Sequence, residues 1–283
     1  MKVANGDCLT ERFRVSGQPH GMEDVVVFAA LSWEARAVLD GLQGVEPSEP
    51  RRWRGYLGDG ASVTVLQVGM GPERARLAAE RAPGADLFLS IGCAGALAGG
   101  LHAGDVVIGE SVVVLDSAGR VGGELAVEGR AILAWAAARG IAVRSGPVAS
   151  SPVVLGTRDL RTRAGRGGAL AVEMESAGVA AVAQARGIRG ALVKVILDES
   201  GDDVALPGGN LIDAATGDLD VPRALATIAP RPHYWPAALR LARQQRVAER
   251  RLREFVALLF SAGLEAFGLV PPAAGRSASA QTG

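Results

Sequence analysis

Between Asp24 and Asp198, short apolar runs alternate with alanine-rich stretches whose apolar residues recur at helical spacing. Runs rich in Val, Ile and Leu read as strands buried on both faces, and the periodic segments between them read as the helices that cover them. The predicted strands are Val25 to Ala30, Ser62 to Val68, Leu87 to Ile91, Val106 to Val114, Ala142 to Ala149, Gly168 to Val172 and Ala191 to Ile196. The predicted helices are Trp33 to Gly41, Pro72 to Arg81, Glu128 to Arg139, Arg158 to Ala164 and Glu175 to Arg186. Pro72 stands in a first helical turn, where its missing N–H costs nothing, and Gly187 follows a helix end that favours glycine. The alternation predicts an α/β layer fold.

After Asp198 the pattern gives way to GDDVALPGGNLIDAATGDLD, which reads as a long loop of the kind that carries function near strand ends. A last helix is expected from Tyr234 to about Phe267, and the small polar tail beyond it is expected to be disordered. The opening residues hold Asp7, Glu11, Arg12 and Arg14 and no apolar run, so they read as a flexible extension, not a signal peptide. The expected organisation is an extension over residues 1–22, one catalytic domain over 23–268 that includes the last helix, and a tail over 269–283. A chain of 283 residues, 48% hydrophobic, buries one full core.

Charge narrows the choice of partner. Lysine plus arginine balances aspartate plus glutamate at 30 each, so no global field holds the chain on nucleic acid, and a small molecule is the expected partner. Arg243, Arg246, Arg250 and Arg253 recur opposite the apolar face of the last helix, behind Tyr234 and Trp235, a pattern also found on membrane-surface helices. Glu249 and Glu254 dilute that charge, so the pattern reads first as the solvated face of a packed helix. Cys8 and Cys93 lie far apart and His20, His102 and His233 are scattered. That argues against a disulfide framework, shows no metal-ligand spacing, and fits a reducing cytoplasm.

Two predicted strands run into glycine turns, VLQVGMGPERA and LSIGCAGALAGGL. Arg74 and Ala94 break the dinucleotide fingerprint in these turns, and no Walker sequence occurs, so no cofactor is expected. Backbone amides at such turns cradle a ligand at the carboxyl ends of the strands. Carboxylates gather at equivalent junctions: Glu34 just after the first strand, Glu173 and Glu175 around Met174 where strand meets helix, and Asp198 at the end of VKVILD. A first-turn acid often does no more than cap its helix, which is the plain alternative for Glu34 and Glu175. Asp198 leaves a buried strand where desolvation raises an acid's pKa. Glu199, Asp202 and Asp203 read as solvated loop residues.

Taken in order, VVVFAALSWEA, VLQVGMGP, SIGCAGALAGGLHAGDVVIGESVVV, AVEMESAGVAAVA and VKVILD resemble the successive motifs of methylthioadenosine and S-adenosylhomocysteine nucleosidases and purine nucleoside phosphorylases. The ALP that follows the aspartate and the arginine-rich last helix resemble the hopanoid-associated branch, which acts on adenosylhopane. The resemblance implies a single-domain three-layer α/β/α fold with a central mixed, mostly parallel twisted sheet, a purine nucleoside substrate, and a homo-oligomer. It makes Asp198 the general acid to the base's five-membered ring and Glu34 the carboxylate that activates water. Glu175 and Met174 become the ribose pair with Glu173 at the same strand end, while Cys93, Ala94, Gly95 and Val153 line base and sugar. Leu197 stands where nucleosidases carry a serine, and Val153 where many carry a phenylalanine. Arg74 and Lys194 are the candidate anion contacts. Hydrolysis is the expected reaction; phosphorolysis and silent nucleoside binding are the alternatives.

Overall fold

The computed structural model describes residues 22–202, 213, 216, 218 and 220–269. Residues 1–21 of the expected extension, most of the loop after Asp202 and residues 270–283 of the expected tail lie outside the described residues; Met22 opens the first strand and Leu269 packs against the core, so the domain reaches one residue further at each end than expected. In chain order the elements are β1 (Met22–Ala29), α1 (Ser32–Leu39), β2 (Gln43–Glu49), β3 (Arg52–Tyr56), β4 (Ser62–Gln67), α2 (Pro72–Arg81), β5 (Gly84–Ala96), β6 (Val106–Leu115) and β7 (Val121–Ala126). They continue as α3 (Arg130–Ala138), β8 (Arg144–Ser150), α4 (Arg158–Gly165), β9 (Ala171–Glu173), α5 (Ser176–Ala185), β10 (Arg189–Asp198), α6 (Val221–Ile228) and α7 (Trp235–Ser261).

Strand β1 explains why the sheet has a helical layer on each side. Its successive residues point to opposite faces, and both faces are apolar: Val25 and Val27 join the cluster under α1, α3 and α7, whereas Val26 and Phe28 join the cluster under α2 and α5. Phe28 meets Phe88 of β5 edge to face at 5.0 Å, a pairing worth about 0.5–1.5 kcal/mol beyond its area. The sheet is mixed, as expected. β1 pairs in parallel with β4 and β5, and β10 with β5; β6 with β8 and β8 with β9 are parallel too. β2, β3 and β7 add antiparallel edges. The long β5 is the hub: it pairs with β1 and β10 along its length and, through Gly95 and Ala96, with β9, so β5, β10, β6, β8 and β9 close into a ring.

Every predicted helix is present, α2 with the predicted bounds. The last one ends earlier than expected, at Ser261, and a 3-10 turn over Gly263–Phe267 continues it. The strand expected from Gly168 begins only at Ala171. β2, β3, β7 and α6 were not predicted. β2 is exposed along its whole length, and β7 reads VGGELA with five of its six positions exposed, so neither carries an inward apolar stripe for a periodicity argument to find.

Candidate active site

The carboxyl ends of β1, β5 and β10, the β9–α5 junction and the segment entering α4 surround a cleft of about 150 Å³. Glu34, Cys93, Ala94, Gly95, Val153, Glu173, Met174, Glu175 and Asp198 all line it. Four carboxylates from three distant segments of the chain thus meet around one space.

Glu34 sits in the first turn of α1 and is 2% exposed. Its Oε2 accepts from the amides of Ala30 (3.0 Å) and Leu31 (2.9 Å), which is the helix-capping role. Its Oε1 reaches across to β5 and accepts from the Cys93 amide at 2.8 Å. The cap and the site are therefore one residue. β5 permits this approach because Gly92 has no side chain: a Cβ there would lie 2.8 Å from Glu34 Oε1.

The β9–α5 junction separates two neighbouring glutamates by what they touch. Glu173 is ion-paired with the buried Lys194 at 2.9 Å and accepts from the amides of Glu175 (3.1 Å) and Ser176 (2.9 Å) and from the Ser176 hydroxyl. Lys194 also donates to Ser90 Oγ at 2.9 Å. Burial by itself would raise the Glu173 pKa, but the Lys194 ammonium and the donated hydrogen bonds outweigh it and hold the group below its ordinary value. Glu175 accepts from the Gly71 amide at 3.0 Å, and burial followed by the charge of Glu173 pushes its pKa up to about 8. Glu175 is therefore the member of the pair left open to a ligand. Glu173, expected to contact the sugar, has its oxygens committed to Lys194 and α5. Lys194, expected as an anion contact, is spent on Glu173 and is not among the residues lining the cleft. Arg74 is elsewhere as well, in a separate cleft beside Arg51, Arg52 and Arg81.

Asp198 ends β10 opposite Gly95 and forms an ion pair with Arg161 of α4. Arg161 is buried and further fixed by donating from Nε to the Leu155 carbonyl (2.9 Å) and from Nη1 to the Glu199 carbonyl (3.0 Å). Burial raises the Asp198 pKa above its ordinary value against the opposing pull of Arg161. A Cβ at Gly95 would lie 3.0 Å from Asp198 Oδ2, so the second glycine of the turn makes room for the acid. The sequence reading missed Arg161. Its signal was present in RDLRTRAG: Arg161 lies three residues from the buried Ala164, so one arginine among three turns to the apolar face.

Cys93 lines the wall as a neutral group, because desolvation, then the charge of Glu34, push its thiol well above the ordinary value. Leu31, Met70, Val154, Leu155 and Leu197 complete an apolar lining that the sequence reading left unassigned except for Leu197. Among the described residues no group of three or more His, Cys, Asp or Glu is arranged to hold a metal ion. Glu199 meets His102 at 3.0 Å, while Asp202 is bound by Gln244 (2.8 Å) and Arg240 (3.1 Å), fastening the start of the loop to α7.

The sequence model of one family, the phosphorylase superfamily, matches residues 24–217. No curated protein is similar to the chain at the level of sequence. Among solved structures, the 5'-methylthioadenosine/S-adenosylhomocysteine nucleosidase of Helicobacter pylori, bound to butyl-thio-DADMe-Immucillin-A, is 18% identical over 83% of this chain and 98% of that one, with a TM-score of 0.58. The S-adenosylhomocysteine nucleosidase of Streptococcus pyogenes, in complex with 5-methylthiotubericidin, is 18% identical over 86% and 99%, also at 0.58. A futalosine hydrolase mutant of Helicobacter pylori is 19% identical over 62% and 89%, at 0.54. At these identities the likeness is one of fold.

Proposed function

Since this chain belongs to the phosphorylase superfamily, we propose that it cleaves the N-glycosidic bond of an adenosine-type purine nucleoside by hydrolysis. The observation that carries the reading is the convergence of Glu34, Glu175 and Asp198 on one small cleft. Cleavage passes through a cationic sugar, so carboxylates beside the sugar stabilise the charge that develops while an acid opposite them assists the leaving base. Asp198, whose raised pKa favours the acid form, gives its proton to a nitrogen of the five-membered ring, and the base leaves with the electrons of the broken C–N bond. Glu175 accepts from the ribose hydroxyls. Glu34 orients a water molecule, whose oxygen bonds to the anomeric carbon as one of its protons passes to the Glu34 carboxylate.

Hydrolysis is preferred to phosphorolysis on a specific ground. The amides of Ala30, Leu31 and Cys93 converge as an anion seat, and Glu34's own carboxylate occupies it. A phosphate nucleophile would meet that charge at short range. Among the described lining residues the one cation is Arg161, which is already paired with Asp198. The same shortage argues against a 5'-phosphate, whereas the apolar residues Leu31, Met70, Val153 and Val154 suit an uncharged 5' substituent. Adenosylhopane is the substrate placed first, on the resemblance of the ALP segment and last helix. Methylthioadenosine and S-adenosylhomocysteine are the comparators.

The test is base release from a panel of these nucleosides and adenosine monophosphate, with and without inorganic phosphate. Release of base indifferent to phosphate, with the monophosphate inert, is expected. Strict dependence on phosphate overturns the hydrolytic assignment, and no release from any nucleoside overturns the enzymatic one.

A further inference from the structure

The chain has no net charge, yet residues 221–248 contain five arginines and not one aspartate or glutamate. These residues form α6, the turn after it and the first half of α7. The structure divides α7 in two. From Ala248 onward its inner face enters the core through Leu252, Phe255, Val256 and Leu259, and its glutamates are matched to arginines: Glu249 to Arg253, and Glu254 to Arg250 and Arg251. The acids that dilute the charge of the helix in the sequence therefore belong to the anchored half. Among the described residues no carboxylate pairs with Arg223, Arg231, Arg243 or Arg246, all exposed; Arg240 is tied to Asp202.

The acid-free half also exposes its large apolar side chains. Val221 and Leu225 share one face of α6 at 52% and 62% exposure, and Trp235 and Leu239 share one face of α7 at 51% and 61%. Trp235, Leu239, Arg243, Arg246 and Arg250 follow at intervals of four, four, three and four residues, which places them along one outward stripe. The Trp235 indole N–H donates to the Ile228 carbonyl at 3.3 Å and ties the end of α6 to the start of α7. Ala224 is the one buried residue of α6, so this corner lies on the body with little of itself inserted.

We propose that the α6–α7 corner is a docking surface for an anionic lipid bilayer, entered by Val221, Leu225, Trp235 and Leu239 and held at the headgroups by Arg223, Arg231, Arg243 and Arg246. Apolar side chains interleaved with uncompensated arginines suit an interface that is apolar in depth and anionic at its surface. Two other occupants fit less well. A second copy meeting this patch about a two-fold axis would bring arginine against arginine. Nucleic acid would neutralise the arginines but leave Leu225 and Leu239 without an apolar partner. No described helix is long and apolar enough to cross a membrane, so the contact is peripheral. It does not depend on which nucleoside the cleft accepts.

The experiment is flotation of the full chain with vesicles of phosphatidylcholine alone and of phosphatidylcholine with a third of phosphatidylglycerol. Partition into the anionic vesicles at least ~10-fold above the neutral ones, weakened by salt, is expected. Reversing two charges, Arg243→Glu with Arg246→Glu, lowers it roughly 100-fold. Trp235→Ser with Leu239→Ser lowers it roughly 10-fold or more by removing buried apolar area. The control, Arg36→Glu with Arg166→Glu, carries the same net charge at exposed positions elsewhere and retains binding; circular dichroism checks that each variant is folded. Equal partition into both vesicles, equal loss in the control, tighter binding to a mixed-sequence oligonucleotide than to vesicles, or a dimer that the Trp235/Leu239 variant dissolves would each overturn the proposal.

Discussion

Glu34 and Asp198 are withdrawn from water to nearly the same degree, 2% and 6% exposed, yet they are held in place by different means. Main-chain amides of Ala30 and Leu31, between β1 and α1, and of Cys93 in β5 hold Glu34, with the neutral Cys93 thiol beside it. Asp198 is held by a guanidinium from α4, which is itself held by two carbonyls. The Glu34 side of the cleft, which faces the sugar in the proposed reaction, is thus held by backbone. The Asp198 side, proposed to face the base, is assembled from side chains, with its cation supplied by α4. If the proposed reaction holds, its two halves answer to mutation in different ways.

The largest effect is expected from Asp198→Asn, which keeps the shape of the base side and removes its proton. Single-turnover measurement should show chemistry slowed by about 100- to 10,000-fold with little change in nucleoside affinity; an unchanged rate would remove Asp198 from the mechanism. Gly92→Ala tests the sugar side through its backbone, since the new methyl group must displace Glu34 Oε1. A fall in kcat of roughly 100-fold is expected from such a misplacement, with a folded protein by circular dichroism.

Arg161→Met probes the side-chain-held half. Burial raises the Asp198 pKa while Arg161 lowers it, so loss of the guanidinium leaves burial less opposed, and the alkaline limb of the kcat profile moves to higher pH. A limb that stays put would mean Arg161 does not govern the acid. The smallest effect concerns stability. Glu175 has its pKa raised from 4.5 to about 8 in the folded chain, so the folded state binds a proton that the unfolded state has released. Its contribution is complete below about 4.5 and is lost as pH rises to about 8. Melting temperatures across this window should fall less steeply for Glu175→Gln than for the parent.

Much of the fold was legible because β1, β5 and β10 are apolar on both faces and stand out as runs. The β2–β3 hairpin was not, since Gln43–Glu49 is held by pairing to β3, and Arg52–Tyr56 by pairing to β4, more than by burial of their own side chains. For the site, the carboxylates were legible from their position at strand ends, and the structure brings Glu34, Glu175 and Asp198 together. What each touches was not. Glu173 and Glu175 are two residues apart in sequence, and only the fold assigns Lys194 and Ser176 to one and the Gly71 amide to the other. Arg161 was hidden for a related reason: one arginine in a basic helix gains meaning only from the face it occupies.

Strand β5 touches both ends of this chemistry, with Gly92 and Cys93 against Glu34 and Gly95 against Asp198. Three residues of extended chain measure about 10 Å, so a single length of backbone acts as the ruler between the Glu34 side and the Asp198 side. Lengthening or shortening β5 by one residue would change that interval and turn its side chains over at once. Tolerance for insertion should therefore vanish across these four positions, a constraint separate from the close approach of Glu34 and Asp198 that keeps Gly92 and Gly95 free of side chains.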